Sequence, residues 1–354
     1  QFTRAVRDLA EHFEHRLFLS ATPHNGLSNS FSALLEILDP QRFVRGTPVE
    51  PKLRDEVMVR RLKMDLREIS GGFPKRIPVP VILDGLPADA PELELSRLLD
   101  EYWDARDERL KDLPTKQRAA QGLILVNLQK RLLSSIEAFH RTLSAHRRAL
   151  ERAASAKDEA EAAALSAAVA PFLIPPDAED ERADLDESEV DEAEEQAVEA
   201  TTKAGFGQPS KRELDLVAKM ADLAERTRRL PDARVRYLVD WIRKELCPDL
   251  PKLGEPVKTA AGWNPKRVVI FTEYADTKRY LEQQLRAAIG ATERGEERLA
   301  TFYGGMGKRE VQVDGVRDLR EEIKRAFNAD PDKHPLRILV ATDAAREGVN
   351  LQNH

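Results

Sequence analysis

Six residues near the end of the chain bring together a hydroxyl, two carboxylates, a guanidinium, a glycine and an amide: Thr342, Asp343, Arg346, Glu347, Gly348 and Asn350. Such a set suits a phosphate or a ribose better than an apolar core, and Gly348 can adopt a positive φ or let a ligand approach the backbone. Directly before it, Leu336, Ile338, Leu339, Val340 and Ala341 form a nearly continuous apolar run. That is the pattern of a strand covered on both faces of a parallel sheet. The polar set therefore falls where the strand opens into a loop at its carboxyl end, the place at which open α/β sheets bind ligands. An ordinary strand-to-helix turn with a solvated polar face has the same pattern, so the rest of the chain has to decide between them.

A second such junction lies near the start. Leu17, Phe18 and Leu19 read as a short buried strand, followed by Ser20, Ala21 and Thr22 before Pro23 imposes an extended turn. The two hydroxyls are again placed for phosphate-linked contacts. Between Arg42 and Leu83, basic clusters (Arg60, Arg61 and Lys63, then Arg67, Lys75 and Arg76) alternate with apolar residues. A cationic face of this kind holds a phosphate backbone without reading its sequence, and a solvated surface would look the same. Ile77 to Leu83, IPVPVIL, is strand-like, with prolines that restrict it to an edge or to the start of a strand.

Helical periodicity places the remaining elements. Gln1 to Glu14 reads as an amphipathic helix. Ser28 or Asn29 caps the next, whose Phe31, Leu34, Leu35 and Leu38 face a core and which Pro40 ends. Pro91 to Leu150 is helical throughout, with leucine stripes that suit a bundle. Lys211 to Arg229 and Asp232 to Leu246 form two more helices, Asp232 serving as a cap, and the proline-rich stretch from Pro248 to Pro265 reads as a linker. From Lys266 onward the order is strand (Arg267 to Phe271), helix (Asp276 to Ile289), strand (Leu299 to Tyr303), helix (Gly315 to Asn328), strand (Leu336 to Ala341). This βαβαβ alternation implies a parallel sheet.

Composition excludes several classes. Cys247 is the only cysteine in 354 residues, which rules out an intrachain disulfide or a cysteine-based zinc site and fits a reducing cytoplasmic compartment. No apolar run reaches the roughly 20 residues of a membrane span, so no membrane partner is expected. The seven histidines show no metal-binding spacing, no metal site is assigned, and His12 and His15 are expected to face solvent. Between Asp177 and Glu199, thirteen acidic residues against Arg182 carry −12 of a net charge of −6, so the remainder of the chain stands at +6. Few large apolar residues occur there, and the expectation is a mobile acidic loop over about 175–205. A solvated tether explains it; mimicry of nucleic acid is the sharper reading. Two DEAE strings, at Asp158 and Asp191, do not follow a buried strand and are not taken as metal motifs.

Several stretches together carry a family resemblance. FLSATPHNGLSNSFSALLEILDPQRF (Phe18 to Phe43) and VMVRRLKMDL (Val57 to Leu66) resemble the third conserved motif, and its sequel, of superfamily-two helicases in the Swi/Snf-like branch of double-stranded-DNA translocases. RVVIFTEYADTKRYLEQQL (Arg267 to Leu285), LATFYGGM (Leu299 to Met306) and ATDAAREGVN (Ala341 to Asn350) resemble the later motifs, in the family's order. The variants ATPHNG and ATDAAREGVN look most similar to bacterial members such as the RNA-polymerase-associated ATPase and the helicases of phage-defence systems.

The resemblance implies a divided chain: 1–85 as the end of a first RecA-like lobe, 86–250 as a helical insertion, 251–265 as a linker, and 266–354 as part of a second RecA-like lobe. It also implies roles. Ser20 and Thr22 couple nucleotide state to the grip on nucleic acid, Thr272 and Thr342 contact the phosphate backbone together with Arg60, Arg61 and Lys63, and Glu347, Gly348 and Asn350 line the nucleotide side of the cleft. Asp343 and Arg346 depart from the Swi/Snf pattern. ATP and Mg²⁺ are the implied cofactors and double-stranded DNA the implied partner, with protein partners also possible through the helical insertion. No GxxxxGK[ST] occurs; GGMGKR at Gly304 has Phe302 where the first glycine belongs and Arg309 where the hydroxyl belongs. The Mg²⁺ ligands are therefore expected outside this sequence, which begins at Gln1 and is expected to be an interior piece that does not hydrolyse ATP by itself. The competing reading is a non-catalytic helical interaction module carrying a degenerate RecA-like lobe.

Overall fold

Ile338, Leu339, Val340 and Ala341 are all fully buried in the computed structural model, and they form the central strand of its only sheet of more than two strands among the described residues. The structure describes residues 2–20, 28–61, 77–112, 115–155, 187–203, 208–256, 261–303, 306, 311–312, 315–316, 319–342 and 351. Two units divide the chain, Gln1–Val81 and Ile82–His354.

The first unit contains α1 (Phe2–Ala10), α2 (Ser28–Leu38) and α3 (Pro51–Val57). Phe31, Leu35 and Phe43 make its small core, and Arg16 donates to the Ile37 carbonyl at the end of α2 (2.9 Å). Two strand expectations are corrected in this region. Leu17 to Leu19 is not a buried strand: Leu17 and Leu19 are 82% and 88% exposed in an irregular segment. Ile77 to Leu83 is likewise unpaired, with Ile77 and Val79 exposed. A strand exists only through a ladder partner, and no strand occurs among the described residues of this unit. No parallel sheet occurs among the described residues of 1–85, where the resemblance implied the end of a first RecA-like lobe.

The second unit begins with a helical bundle of α4 (Pro91–Leu110), α5 (Thr115–Ser134), α6 (Ile136–Ser155), α7 (Glu187–Lys203) and α8 (Lys211–Thr227). Leu95, Tyr102, Ile124, Leu128, Phe139, Leu143 and Met220 fill its centre. Ser210 starts α8 with a reciprocal cap: its hydroxyl accepts from the Glu213 amide (3.2 Å), and the Glu213 carboxylate accepts from the Ser210 amide (2.6 Å). Arg109 of α4 adds two bonds to the same buried carboxylate, at 2.8 and 3.1 Å. Ser210→Ala is expected to lower stability by about 1 kcal/mol, read as a lower denaturant midpoint at unchanged slope.

The acidic stretch also departs from expectation. Residues 187–203 of the expected mobile loop form α7, whose Ala197, Val198 and Thr202 are buried against the bundle. Two small apolar side chains and a hydroxyl on one face, opposite arginines of α6, offset the ordering entropy that the acidic composition alone could not. Residues 156–186 lie outside the described residues.

α9 (Ala233–Glu245) follows, capped by Asp232, whose carboxylate accepts from the Val235 amide (2.8 Å). The stretch expected as a linker packs in part: its Leu250 and Ala261 are buried with Cys247 and the residues of α9. Then come β1 (Val268–Phe271), α10 (Ala275–Ile289), β2 (Leu299–Phe302), a two-residue pair β3 (Val311–Gln312) and β4 (Gly315–Val316), α11 (Leu319–Asn328) and β5 (Ile338–Ala341). The sheet is parallel with order β1-β5-β2, Val268 and Leu299 both aligning with Ile338. Ile338 and Val340 face α9 and α10, while Leu339 and Ala341 face Phe327 of α11. α11 starts four residues later than the sequence suggests, because Gly315 and Val316 pair antiparallel with Gln312 and Val311 before it. Among the described residues no helix is long and apolar enough to cross a membrane.

Candidate functional site at the carboxyl end of the sheet

β1 and β5 are adjacent and parallel, so their carboxyl ends lie side by side. Thr272 follows β1 and donates its amide to the Ala341 carbonyl (2.9 Å); Thr342 follows β5 and donates to the Phe302 carbonyl (3.1 Å). These ladder bonds hold the two threonines one residue beyond the strands. Thr272 opens onto a cleft of about 480 Å³ that Thr342 does not line.

The far wall of the cleft comes from the helices. The carboxyl end of α5 contributes Lys130, Leu133 and Ser134, and the first turns of α9 contribute Arg234 and Leu238. Ile270, Leu281 and Tyr280 make an apolar floor. Lys130 is exposed and makes no hydrogen bond or ion pair among the described residues. Arg234 is already engaged: it donates to the Leu133 and Leu132 carbonyls, satisfying the end of α5, and pairs with Asp232 at 3.3 Å. Ser134 and Ser135 both bond Thr277, at 2.7 and 2.8 Å, which ties the α5–α6 junction to the first turn of α10.

Tyr280 accepts from the Asp232 amide (2.9 Å) and donates to the Leu230 carbonyl (2.8 Å). Burial, reinforced by the Asp232 carboxylate, pushes its phenol far above the ordinary range, so it remains neutral. The cleft sets the Thr272 and Ser134 hydroxyls and the exposed Lys130 ammonium over an apolar floor, with the Asp232 and Glu273 carboxylates also in its lining. Among the described residues no group of three or more His, Cys, Asp or Glu is placed to hold a metal ion.

A buried charge cluster keeps the bundle against the sheet. Asp276, in the first turn of α10, pairs with Arg131 of α5 (3.6 Å), with Arg141 of α6 (3.2 Å) and with Arg279. The Arg131 guanidinium also stacks 3.8 Å from the Tyr274 ring centre. Lys278 is buried with its ammonium 3.6 Å from the Tyr303 ring centre. The position of Lys130 relative to Thr272 is thus set by its buried neighbour, Arg131.

Of the residues singled out by sequence, Thr272 and Thr342 come together at adjacent strand ends. Ser20, Arg60 and Arg61 are exposed in irregular segments of the first unit, Ser20 without the strand expected before it. Thr22, Lys63, Glu347, Gly348 and Asn350 lie outside the described residues. Sequence reading missed Lys130 and Arg234. A signal existed for Lys130: it lies on a helical face with Val126 and Leu133, both exposed, which is a solvent-facing or ligand-facing stripe within an otherwise buried helix. Comparison with family models, curated proteins and solved structures found no match to this chain. Its class is that of a mixed α/β chain with a three-stranded parallel sheet and many helices.

Proposed function

We propose that the chain is part of an ATP-dependent double-stranded-DNA translocase of the Swi/Snf-like kind, a cytoplasmic motor whose second RecA-like lobe is the parallel sheet and its helices. The observation that carries this reading is Thr272 at the carboxyl end of β1, facing a cleft that the exposed Lys130 also lines, and beside the equivalent Thr342. Both threonines occupy the motif positions that the resemblance assigns to phosphate-backbone contact. A hydroxyl and an ammonium bind such a backbone without reading its sequence. ATP and Mg²⁺ belong to the same proposal, and the residues assigned to the nucleotide fall outside the described residues. The second reading is a non-catalytic interaction module, for which the helical bundle of α4 to α8 supplies the contact surface.

Fluorescence anisotropy of a short DNA duplex at about 50 and 200 mM salt separates them. The motor reading expects binding at the lower salt that weakens steeply at the higher. Lys130→Gln is expected to weaken it about threefold and to reduce the log–log salt slope by about one, the signature of one lost phosphate contact. Absence of duplex binding at the lower salt sinks the DNA reading and leaves the interaction module.

A further inference from the structure

The acidic helix α7 lies along α6 with its charges matched to arginines. Glu195 pairs with Arg148, and Glu199 pairs with Arg152 at 2.6 Å and more loosely with Arg148 at 3.7 Å. Both pairs have i,i+4 spacing, so two carboxylates about 5–6 Å apart meet two guanidiniums at the same interval. All four groups remain partly exposed. The apolar anchor is small. Among its described side chains only Ala197, Val198 and Thr202 are buried.

Thr202 anchors through polarity: its hydroxyl bonds Nδ1 of the buried His146 at 2.7 Å. Among the described residues the apolar anchor of α7 is Ala197 and Val198, smaller than the rows of large side chains that α4, α6 and α8 bury, so the ion pairs of Glu195 and Glu199 and the Thr202 hydroxyl carry much of its attachment. A row of arginines on a helix, covered in the same chain by a row of carboxylates, is the arrangement expected where the carboxylates stand in for a polyanion.

We propose that the Arg148–Arg152 face of α6 is a second contact surface for a nucleic-acid phosphate backbone, masked by α7 acting as an acidic substitute for that backbone. The proposal rests on the reading of the chain as a DNA-binding protein and extends it to a site distant in sequence from Thr272. Duplex DNA and α7 compete for the same guanidiniums. Removing the carboxylates therefore strengthens DNA binding through these arginines in particular, and not through the overall charge alone.

The test uses the 354-residue chain and a blunt DNA duplex in a salt series. E195Q/E199Q is expected to bind about tenfold more tightly than wild type at about 100 mM salt, with a log–log slope steeper by about two. Adding R148Q/R152Q is expected to return both quantities to wild-type values. D100N/D104N removes two exposed charges from α4 and serves as the bulk-charge control, with an expected change below twofold. T202V loosens α7 from His146 without altering charge and is expected to tighten binding as well. If E195Q/E199Q binds no more tightly than D100N/D104N, or if its gain survives R148Q/R152Q, the masking proposal is overturned while DNA binding at the sheet stands. If neither wild type nor any variant binds duplex DNA at low salt, both fall.

Discussion

Asp276→Ala is expected to destabilise the chain by about 3–5 kcal/mol, because it removes one partner of a buried ion pair. Asp276 and Arg131 have side chains only 7% and 4% exposed, and Arg141 and Arg279 converge on the same carboxylate. Removing the carboxylate takes from Arg131 its ion pair across α5 and α10, while the Tyr274 ring still stacks on its guanidinium. The loss is expected as a lower denaturant midpoint, and hydrogen exchange should accelerate first in α5, α6 and the first turn of α10. Arg141→Gln is the contrasting variant: its side chain is 48% exposed, so its removal is expected to cost under about 1 kcal/mol. Equal effects from the two substitutions would show that the cluster does not act as a buried clamp. Because the same cluster positions Lys130, Asp276→Ala is also expected to weaken duplex binding under conditions where the chain remains folded.

The second large effect is a loss of stability on acidification, traced to His146. Thr202 donates to the Val198 carbonyl (2.7 Å), so it has to accept from His146 Nδ1. On the other side, Tyr102 meets Nε2 at 2.7 Å while accepting from Arg106 at 3.2 Å, so its own proton goes to Nε2. The chain of donors has one direction and requires a neutral imidazole. Complete burial, with Arg106 adding repulsion, holds the His146 pKa well below its ordinary 6.5.

In the unfolded chain the imidazole takes up a proton as pH falls through 6.5, and the native state does not. Stability contributed by the neutral ring is therefore intact above pH 6.5 and falls by about 1.4 kcal/mol per unit below it, until the depressed native pKa is reached. Tyr102 and Arg106 of α4 and Thr202 of α7 face the ring directly, with the Arg109–Glu213 pair behind Tyr102. His140 and His334 are also depressed, mainly by burial, and act in the same direction. Glu137, with its carboxylate lowered by Arg228 and Arg141 against the opposing effect of burial, adds a further loss only below its ordinary 4.5. Chemical denaturation at pH 7.5 and 5.5 in wild type and His146→Gln isolates the contribution. A shallower pH dependence in the variant is expected; identical slopes would remove His146 as the cause.

Much of this molecule is written locally. The run from Leu336 to Ala341 announced a strand buried on both faces, and that strand is the centre of the sheet with Thr342 at its end. Asp232 marked a helix start, since a cap needs only a polar side chain and the three residues that follow it. Alternating strand and helix periods were enough to order β1, α10, β2, α11 and β5, because each period is a property of a short window. The same locality misled at Leu17 to Leu19 and Ile77 to Leu83, where strand-like residues lack a partner strand among the described residues.

Tertiary structure decided what joins across long separations. Arg131 meets Asp276, Lys130 reaches the cleft of Thr272, and Arg152 meets Glu199, and none of these pairs follows from periodicity. An acidic, alanine-rich segment has too little apolar surface to fold alone, and α7 is helical because α6 and the buried His146 supply a complementary face. Sequence by itself therefore determined the elements and the strand ends, which depend on neighbours a few residues away. The pairing of distant charges and the shape of the cleft required the packed chain, because burial is what makes those contacts strong enough to matter.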